Sequence, residues 1–133
     1  MAGFKNFSKK FFAVVNERIV LFSRTNEIRG VDLTSAYYHT IPTISVPHVV
    51  TPATIDFDAA NKRIYWTDIQ MNEVKTSNLI GGPAETIIDT GIEQPSGLAI
   101  DWISGNLFVT SSGTSENHIS VCNLKGEFIS VVS

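Results

Sequence analysis

Short runs of β-branched and aromatic residues alternate with turn residues along most of the chain, a pattern that favours β-strands over helices. From residue 53 onward the pattern predicts strands at 53–57, 63–68, 73–78, 85–89, 97–101, 107–111, 118–123 and 127–132. Glycines mark turns between them, as at Gly82 and Gly126, since a residue without a Cβ adopts positive φ easily. The sequence therefore predicts an all-β fold of short antiparallel strands.

The predicted strands recur at a fixed interval. The stretch from Asp58 to Asp68 aligns without a gap with the stretch from Asp101 to Ser111, at an offset of 43 residues. A third, partial copy lies upstream, where residues 26–28 align with 72–74 at an offset of 46. Four strands in each unit of about 40 to 50 residues are typical of a propeller blade. We therefore expect three four-stranded antiparallel blades, at about 18–50, 51–93 and 94–133.

The most distinctive motif is Arg63-Ile64-Tyr65-Trp66-Thr67-Asp68, on the second strand of the second unit. Alternation along a strand places Tyr65 and Trp66 on opposite faces, where large rings fill the gap between neighbouring twisted sheets. Thr67 and Asp68, at the strand end, are expected to bond backbone groups that the ladder leaves unpaired. The motif is thus interpreted as structural, and so are the residues that flank it or match it in the next repeat: Asp58, Gly97, Asp101, Phe108 and Thr110.

Two stretches, 63–68 and the Gln94-Pro95-Ser96-Gly97-Leu98-Ala99-Ile100-Asp101-Trp102 run, resemble the YWTD, or class B, repeats of the low-density lipoprotein receptor family. The stretch 26–33 is similar to the opening blade of such a domain, so the resemblance runs from about residue 18 to the end. Only one copy is complete, because 109–111 and 22–24 differ from Trp-Thr-Asp, which puts the aspartate hydrogen bonds of those blades in doubt. Residues 97–113 alone also fit an NHL-type propeller repeat.

The resemblance implies a partial YWTD β-propeller, since the rings of this family close with six blades and the sequence covers about three. It implies a non-catalytic extracellular module of an endocytic lipoprotein-receptor-like protein, either a fragment or a truncated isoform, that contacts protein ligands and adjacent receptor modules. Aromatic anchors for ligands are sought at Trp102, Tyr37 and Tyr38, although burial between blades is favoured for Trp102. Three blades would leave two open apolar faces, so two chains related by a two-fold axis would complete a ring as a homodimer.

Residues 1–17 form an atypical N-terminal segment outside the resemblance. One hypothesis pairs 11–15 with 18–23 as a hairpin that supplies the inner strand of the first blade. The alternative is an amphipathic helix, because apolar residues recur there at helical spacing, at Phe4, Phe7, Phe11 and Val14. Asn6 begins a glycosylation sequon, Asn6-Phe7-Ser8, that matters only if the chain enters the secretory lumen. The apolar run 11–15 is too short for a signal peptide or a membrane span, so neither is recognised in this sequence.

Charge argues against one class of partner. The chain has 133 residues, of which 43% are hydrophobic, and a formal net charge of −3. Six basic and two acidic residues give the first thirty residues a charge of +4, which leaves −7 for the rest. An acidic body argues against nucleic acid, which requires basic side chains on the working face, and no direct membrane contact is expected. Cys122 is single, so we expect a buried thiol rather than a disulfide or a cysteine zinc site.

Catalytic motifs are not recognised: G-x-S-x-G, the phosphate-binding loop and H-E-x-x-H are absent from the sequence. The histidines, His39, His48 and His118, are scattered and are expected to bind no metal. The sequence therefore predicts no enzyme, no cofactor and no metal.

The competing hypothesis is a propeller hydrolase or lactonase with a central metal. It requires carboxylates that converge on the inner strands, and only Asp56, Asp58 and Asp101 are available. Asp56 and Asp58 face the same side of a predicted strand, which suits a hard cation or an acid/base pair. Alternatively, one of them faces a turn and the other accepts hydrogen bonds from loop N–H groups.

Overall fold

The computed structural model describes residues 12–14, 19–34, 44–46, 49–79, 82–114 and 117–132. Within these ranges the regular secondary structure is entirely β. The predictions for Asn6, Tyr37, Tyr38, His39 and His48 lie outside the described residues.

The strands form three four-stranded antiparallel sheets, each with its strands in sequence order. The first sheet contains β1 (Phe12–Val14), β2 (Ile19–Arg24), β3 (Glu27–Asp32) and β4 (Ile44–Val46). The second contains β5 (Pro52–Asp58), β6 (Arg63–Asp68), β7 (Glu73–Asn78) and β8 (Glu85–Ile88). The third contains β9 (Gly97–Asp101), β10 (Asn106–Ser112), β11 (Asn117–Asn123) and β12 (Ser130–Val131). The predicted fold class, three consecutive antiparallel meanders, is confirmed.

Most predicted strands match the observed ones to within one residue at either end, but the last does not. The predicted strand 127–132 is shortened to β12, at Ser130–Val131. Its first residues extend the preceding turn, because the N–H groups of Lys125 and Glu127 both donate to the Asn123 Oδ1 atom at 2.9 Å. Phe128 then adopts a positive φ of 58°, which lies outside the β region.

The first sheet includes a strand from the segment 1–17 that the sequence set apart. β1 pairs antiparallel with β2, with Phe12 opposite Phe22 and Val14 opposite Val20. Residues 12–14 are therefore the inner strand of a hairpin and not a helical turn. Where the segment gives way to the propeller stays a prediction.

Adjacent sheets pack face to face, with the first strands β1, β5 and β9 next to one another. One core cluster lies between the first and second sheets and includes Leu21, Ile28, Ile64 and Trp66. A second cluster lies between the second and third sheets and includes Tyr65, Val74, Leu107 and Val109. Between the described sheets, the apolar side chains therefore pack in two seams, as expected for radially stacked blades.

The two outer faces of this stack differ. On the first sheet, the side chains that point away from the second sheet, Val20, Phe22 and Val31, are buried. On the third sheet, Ala99 and Ile119 point away from the second sheet and are exposed. The expectation of two open apolar faces is therefore wrong for the first sheet, and only the face of the third sheet is open among the described residues.

Candidate binding surfaces and the groove between sheets

The rings of Tyr65 and Trp66 fill opposite seams. Trp66 is fully buried, at 0% exposure, and packs with Leu21 and Ile28 of the first sheet. Tyr65 packs with Leu107 of the third sheet, and its hydroxyl donates to the Leu124 carbonyl at 3.3 Å. Burial is the main cause that raises the pKa of the Tyr65 phenol above its ordinary value. Neither ring is available to a ligand.

Asp68 satisfies backbone groups where β6 ends. Its buried carboxylate accepts hydrogen bonds from the N–H groups of Val50 at 3.1 Å, Thr51 at 3.0 Å and Met71 at 3.1 Å. Two of these donors lie in the segment that leads into β5, so one side chain fixes both that segment and the β6–β7 turn. Thr67 accepts from the Thr54 N–H at 3.1 Å, where an irregularity interrupts the β5 ladder.

The third sheet achieves a similar result with different residues. Ser111, which stands at the Asp68 position, accepts from the Glu93 N–H at 3.3 Å. The neighbouring Gln94 N–H donates instead to the Asn72 Oδ1 atom at 2.8 Å. The hydrogen bonds that the sequence put in doubt are thus made in part by Asn72, a residue of the second sheet that the sequence analysis did not single out. The bond joins residues 22 positions apart, and local spacing carries no signal of it.

Asp58 and Asp101 serve the same purpose in consecutive repeats. Asp58 accepts from the Ala60 and Asn61 N–H groups at 3.0 and 3.3 Å. Asp101 accepts from the Ile103 and Ser104 N–H groups, both at 3.1 Å. Hydrogen bonds from the Ser104 hydroxyl and from these backbone groups lower the pKa of Asp101. Both carboxylates hold turns between the first two strands of their sheets.

Asp56 links two inner strands. Its Oδ2 atom accepts from the Ile100 N–H of β9 at 2.7 Å, and its Oδ1 atom accepts from the Phe57 N–H at 2.8 Å. Two residues earlier, the Thr54 hydroxyl donates to the Ser96 carbonyl at 2.6 Å. Asp56 and Asp58 thus bond separate backbone groups. The described residues contain no group of three or more His, Cys, Asp or Glu side chains placed to hold a metal.

Gly97, Phe108 and Thr110 lie together on the open face of the third sheet. Phe108 stands at the Tyr65 position and points away from the second sheet, where a following blade would pack. Gly97 is opposite Thr110, and a Cβ added at Gly97 would lie 2.6 Å from the Thr110 Oγ1 atom. A larger residue at position 97 would therefore force the Thr110 side chain to shift.

Trp102 is exposed, which corrects the expectation that it is buried between blades. It occupies the turn after β9 and is 53% exposed. Phe128, in the connection that follows β11, is 84% exposed. Register pairs Asn106 with both Asp101 and Asn123, so the two aromatic residues project from the same end of the third sheet.

A groove of about 510 Å³ lies at the opposite end of the sheets. It is bounded by the β6–β7 turn, the β8–β9 connection and the ends of β10 and β11, and its lining includes Met71, Asn72, Asp89, Thr90, Gly91, Ile92, Glu93, Ser111, Gly113 and His118. The Glu93 Oε2 atom accepts from the Thr114 N–H at 3.2 Å. The buried Nε2 atom of His118 has no hydrogen-bond partner in the part of the chain that the structure describes. The groove is thus a polar recess beside the seam between the second and third sheets.

Cys122 lies in that seam and is buried, as the sequence predicts. Burial raises the pKa of its thiol to about 11. The thiolate, which is the reactive form of cysteine, is therefore scarce at neutral pH.

No protein-family model matches the chain. Low-density lipoprotein receptor-related protein 5 of Mus musculus is 33% identical over 110 residues, which is 81% of this chain and 7% of that protein. Low-density lipoprotein receptor-related protein 4 of Homo sapiens is 31% identical over 104 residues, which is 77% of this chain and 5% of that protein. This chain thus spans less than a tenth of the length of these relatives.

Among solved structures, the chain is similar to the nidogen propeller in the crystal structure of a nidogen/laminin complex. The TM-score is 0.82 at 21% sequence identity, with 93% of this chain and 47% of that chain covered. This likeness establishes the propeller fold. Across the described residues, no helix has the length and apolar character needed to cross a membrane.

Proposed function

Because this chain folds as part of a YWTD β-propeller of the low-density lipoprotein receptor-related type, we propose that it acts as a non-catalytic extracellular module that binds proteins. The observation that carries the proposal is the sequence identity of 33% over 81% of the chain to a receptor of this kind. In this proposal the segment belongs to the extracellular part of a cell-surface receptor, and adjacent receptor modules are among its partners.

The carboxylates of the inner strands support a binding role. An acid/base or metal-dependent mechanism needs carboxylates that are free to meet a substrate or a cation. Asp56 and Asp58 instead accept hydrogen bonds from backbone amides, and Asp101 accepts two more in its turn. Metal analysis of the purified protein tests the alternative, since a stoichiometric divalent ion would favour a propeller hydrolase or lactonase.

We assign the ligand contact to Trp102. Large aromatic side chains contribute most to protein interfaces, and Trp102 presents half of its surface to solvent beside the exposed Ile103. Tyr37 and Tyr38 remain predicted contacts on sequence grounds only.

The test is photo-crosslinking from position 102. A variant with benzoylphenylalanine at this position is added to the outside of intact cells and, separately, to an extracellular-matrix extract. It should capture an extracellular protein, and an excess of the chain without the crosslinker should reduce the capture. Purified laminin is the first defined probe, because the similar nidogen propeller was solved in a complex with laminin. The matched control carries the same group at the exposed Glu85, on the outer edge of the second sheet. Equal capture from both positions, or none that unlabelled chain displaces, would contradict the assignment.

Location is tested separately. We propose that Asn6 is glycosylated in the secretory lumen, so an Asn6→Gln variant of the expressed chain should migrate faster than the wild type on a denaturing gel. Treatment with a glycosidase should remove the difference. A wild-type chain recovered only from cytosol, without glycan, would contradict an extracellular location.

A homodimer that completes a ring is the assembly we propose for the isolated chain. Two observations support it: the chain matches 47% of the nidogen chain, and the third sheet presents an open face. The buried Val20, Phe22 and Val31 on the first sheet weigh against it, because a ring needs contact at both outer faces. Light scattering decides, since a cooperative monomer at all concentrations excludes the paired ring.

A further inference from the structure

The groove between the second and third sheets has an acceptor-rich lining. We propose that it receives a lysine or arginine side chain from a protein partner, at a site remote from Trp102. The inference extends the proposed function and rests on it for one point, namely that the cationic side chain belongs to a protein.

The groove has the size and the fixed walls of a side-chain site. Its volume of about 510 Å³ is within the range of ligand pockets and accommodates a long side chain with part of its backbone. The β8–β9 connection forms one wall and is held by hydrogen bonds from the Glu93 N–H to Ser111 and from the Gln94 N–H to Asn72. A backbone bond from the Ser112 N–H to the Glu93 carbonyl, at 3.1 Å, joins this wall to β10.

The charges of the lining select a cation. Among the described residues that line the groove, Asp89 and Glu93 are acidic and none is a lysine or an arginine. Neither carboxylate forms an ion pair with a described residue. A cationic group that enters the groove therefore meets two carboxylates without breaking an internal ion pair, and charge-assisted hydrogen bonds to carboxylates are stronger than neutral ones.

His118 also lines the groove. Its buried Nε2 atom has no hydrogen-bond partner among the described residues. A buried polar atom without a partner destabilises a fold unless a ligand or water satisfies it. In the tautomer protonated at Nδ1, the Nε2 atom is an acceptor. In that tautomer an ammonium or guanidinium group, which only donates, complements the Nε2 atom and the two carboxylates together.

The experiment is a titration of the 15N-labelled chain followed by NMR. The probe is α-acetyl-lysine methylamide, and the matched neutral probe is α-acetyl-norleucine methylamide, which keeps the aliphatic chain and lacks the ammonium group. We expect the lysine probe to shift the amide resonances of Gly91, Ile92 and Gly113, which line the groove, and the norleucine probe to leave them in place.

Three variants locate the charge requirement. Asp89→Asn and Glu93→Gln should each raise the dissociation constant of the lysine probe by about two- to fivefold, the range measured for exposed ion pairs. Glu127→Gln removes the same charge near the exposed Phe128, at the other end of the third sheet, and should leave the constant unchanged. Within the described part of the chain, the Asp89 side chain accepts no hydrogen bond like the one that Glu93 accepts from the Thr114 N–H. If Glu93→Gln perturbs the fold, the result with Asp89→Asn therefore decides.

Three results would overturn the proposal: equal shifts with the norleucine probe, shifts spread over the whole surface, or equal losses in Asp89→Asn and Glu127→Gln. Because the small probe involves no partner protein, failure here leaves the crosslinking result at position 102 intact. Conversely, a chain that captures no extracellular protein can still bind the lysine probe, so the two proposals fail separately.

Discussion

At the scale of single residues, the number of hydrogen bonds a side chain accepts matters more than its match to a motif. Asp68 accepts three bonds from two separate segments. Ser111, at the same repeat position, accepts one, and Asn72 supplies another from a different sheet. The motif therefore identifies where backbone groups need partners, and different residues can meet that need.

Replacing Asp68 by alanine should destabilise the fold strongly. Three backbone donors lose their acceptor in a buried or half-buried place, and we expect a loss of about 2 to 4 kcal/mol in the free energy of unfolding. The matched variant is Asp101→Ala, which loses two backbone donors in an exposed turn and should therefore cost much less. Urea unfolding followed by circular dichroism measures both. Similar midpoints for the two variants would show that Asp68 has no special structural role.

Burial of ionisable groups in the second seam predicts a loss of stability in alkali. The pKa of Cys122 is about 11 in the folded chain against an ordinary 9.0, and burial also raises the pKa of Tyr65. Above pH 9 the unfolded chain therefore loses these protons first, so the free energy of unfolding should fall as the pH rises from 9 to 11. Urea midpoints at pH 8 and pH 10 measure the fall.

Cys122→Ala separates the contributions of the two groups. The variant should lose the part of the alkaline slope that begins near pH 9 and keep the part due to Tyr65. In the wild type, a thiol reagent should react with Cys122 only after unfolding. Rapid labelling of the folded chain, or an unchanged slope in the variant, would contradict the burial argument.

The residue-scale predictions from sequence were right where the period of a strand decides. Alternation places Tyr65 and Trp66 in opposite seams, and both seams are observed. The expected burial of Trp102 in a seam is wrong, because Asp101 ends β9 and Trp102 lies in the turn that follows. The bond from the Ile100 N–H to Asp56 joins residues 44 positions apart, and only the packing of the sheets brings them together.

At the scale of elements, strand positions followed from sequence wherever a turn residue bounds an apolar run. The strands at 63–68, 73–78 and 97–101 were predicted with their observed limits. β12 was not, because the side chain of Asn123 prolongs the preceding turn. A capping side chain competes with the strand there, and hydrophobic pattern alone does not register that competition.

The turn after β11 in the third sheet lies against β8 of the second sheet, and this close approach requires glycine. Gly126 has a φ of 78°. A Cβ added there would clash with the carbonyl oxygen of Ile87, which lies in β8. Gly105 has a φ of 75° but open space around it. Gly105→Ala should therefore cost about 1 to 2 kcal/mol from backbone strain alone, and Gly126→Ala clearly more, since the two sheets must separate.

Thermal unfolding of the two glycine variants tests this contact. The difference between their midpoints isolates the approach of the turn to Ile87, because both positions share the left-handed backbone. Hydrogen exchange should show faster exchange in β8 and β11 of Gly126→Ala and normal exchange in β2 and β3. Equal midpoints would mean that the turn can move away from Ile87 without a loss of stability.

At the scale of the whole molecule, the sequence predicted the architecture but not its asymmetry. The repeat period and the family resemblance identified three blades, and the observed sheets agree. Sequence reasoning treated both ends of the stack alike. The structure buries Val20, Phe22 and Val31 at one end and exposes Ile119 at the other. Which apolar face is covered depends on tertiary contacts beyond the repeat, so periodicity could not supply it.

The open face of the third sheet should make the isolated chain associate as its concentration rises. Ile119 is 40% exposed and shares this face with Ala99, Phe108 and Val121, an apolar surface that water does not favour. Ile119→Lys places a charge in the middle of the face and should lower the apparent mass at high concentration, as measured by light scattering.

The control is Ile103→Lys, at a turn residue that is 80% exposed and lies away from the face. The control should associate like the wild type, and both variants should unfold at wild-type urea concentrations because neither side chain is in a seam. Association does not proceed through this face if Ile103→Lys lowers the apparent mass as much as Ile119→Lys does, or if the wild type stays monomeric at every concentration. Either result excludes a paired ring and any other assembly that uses this face.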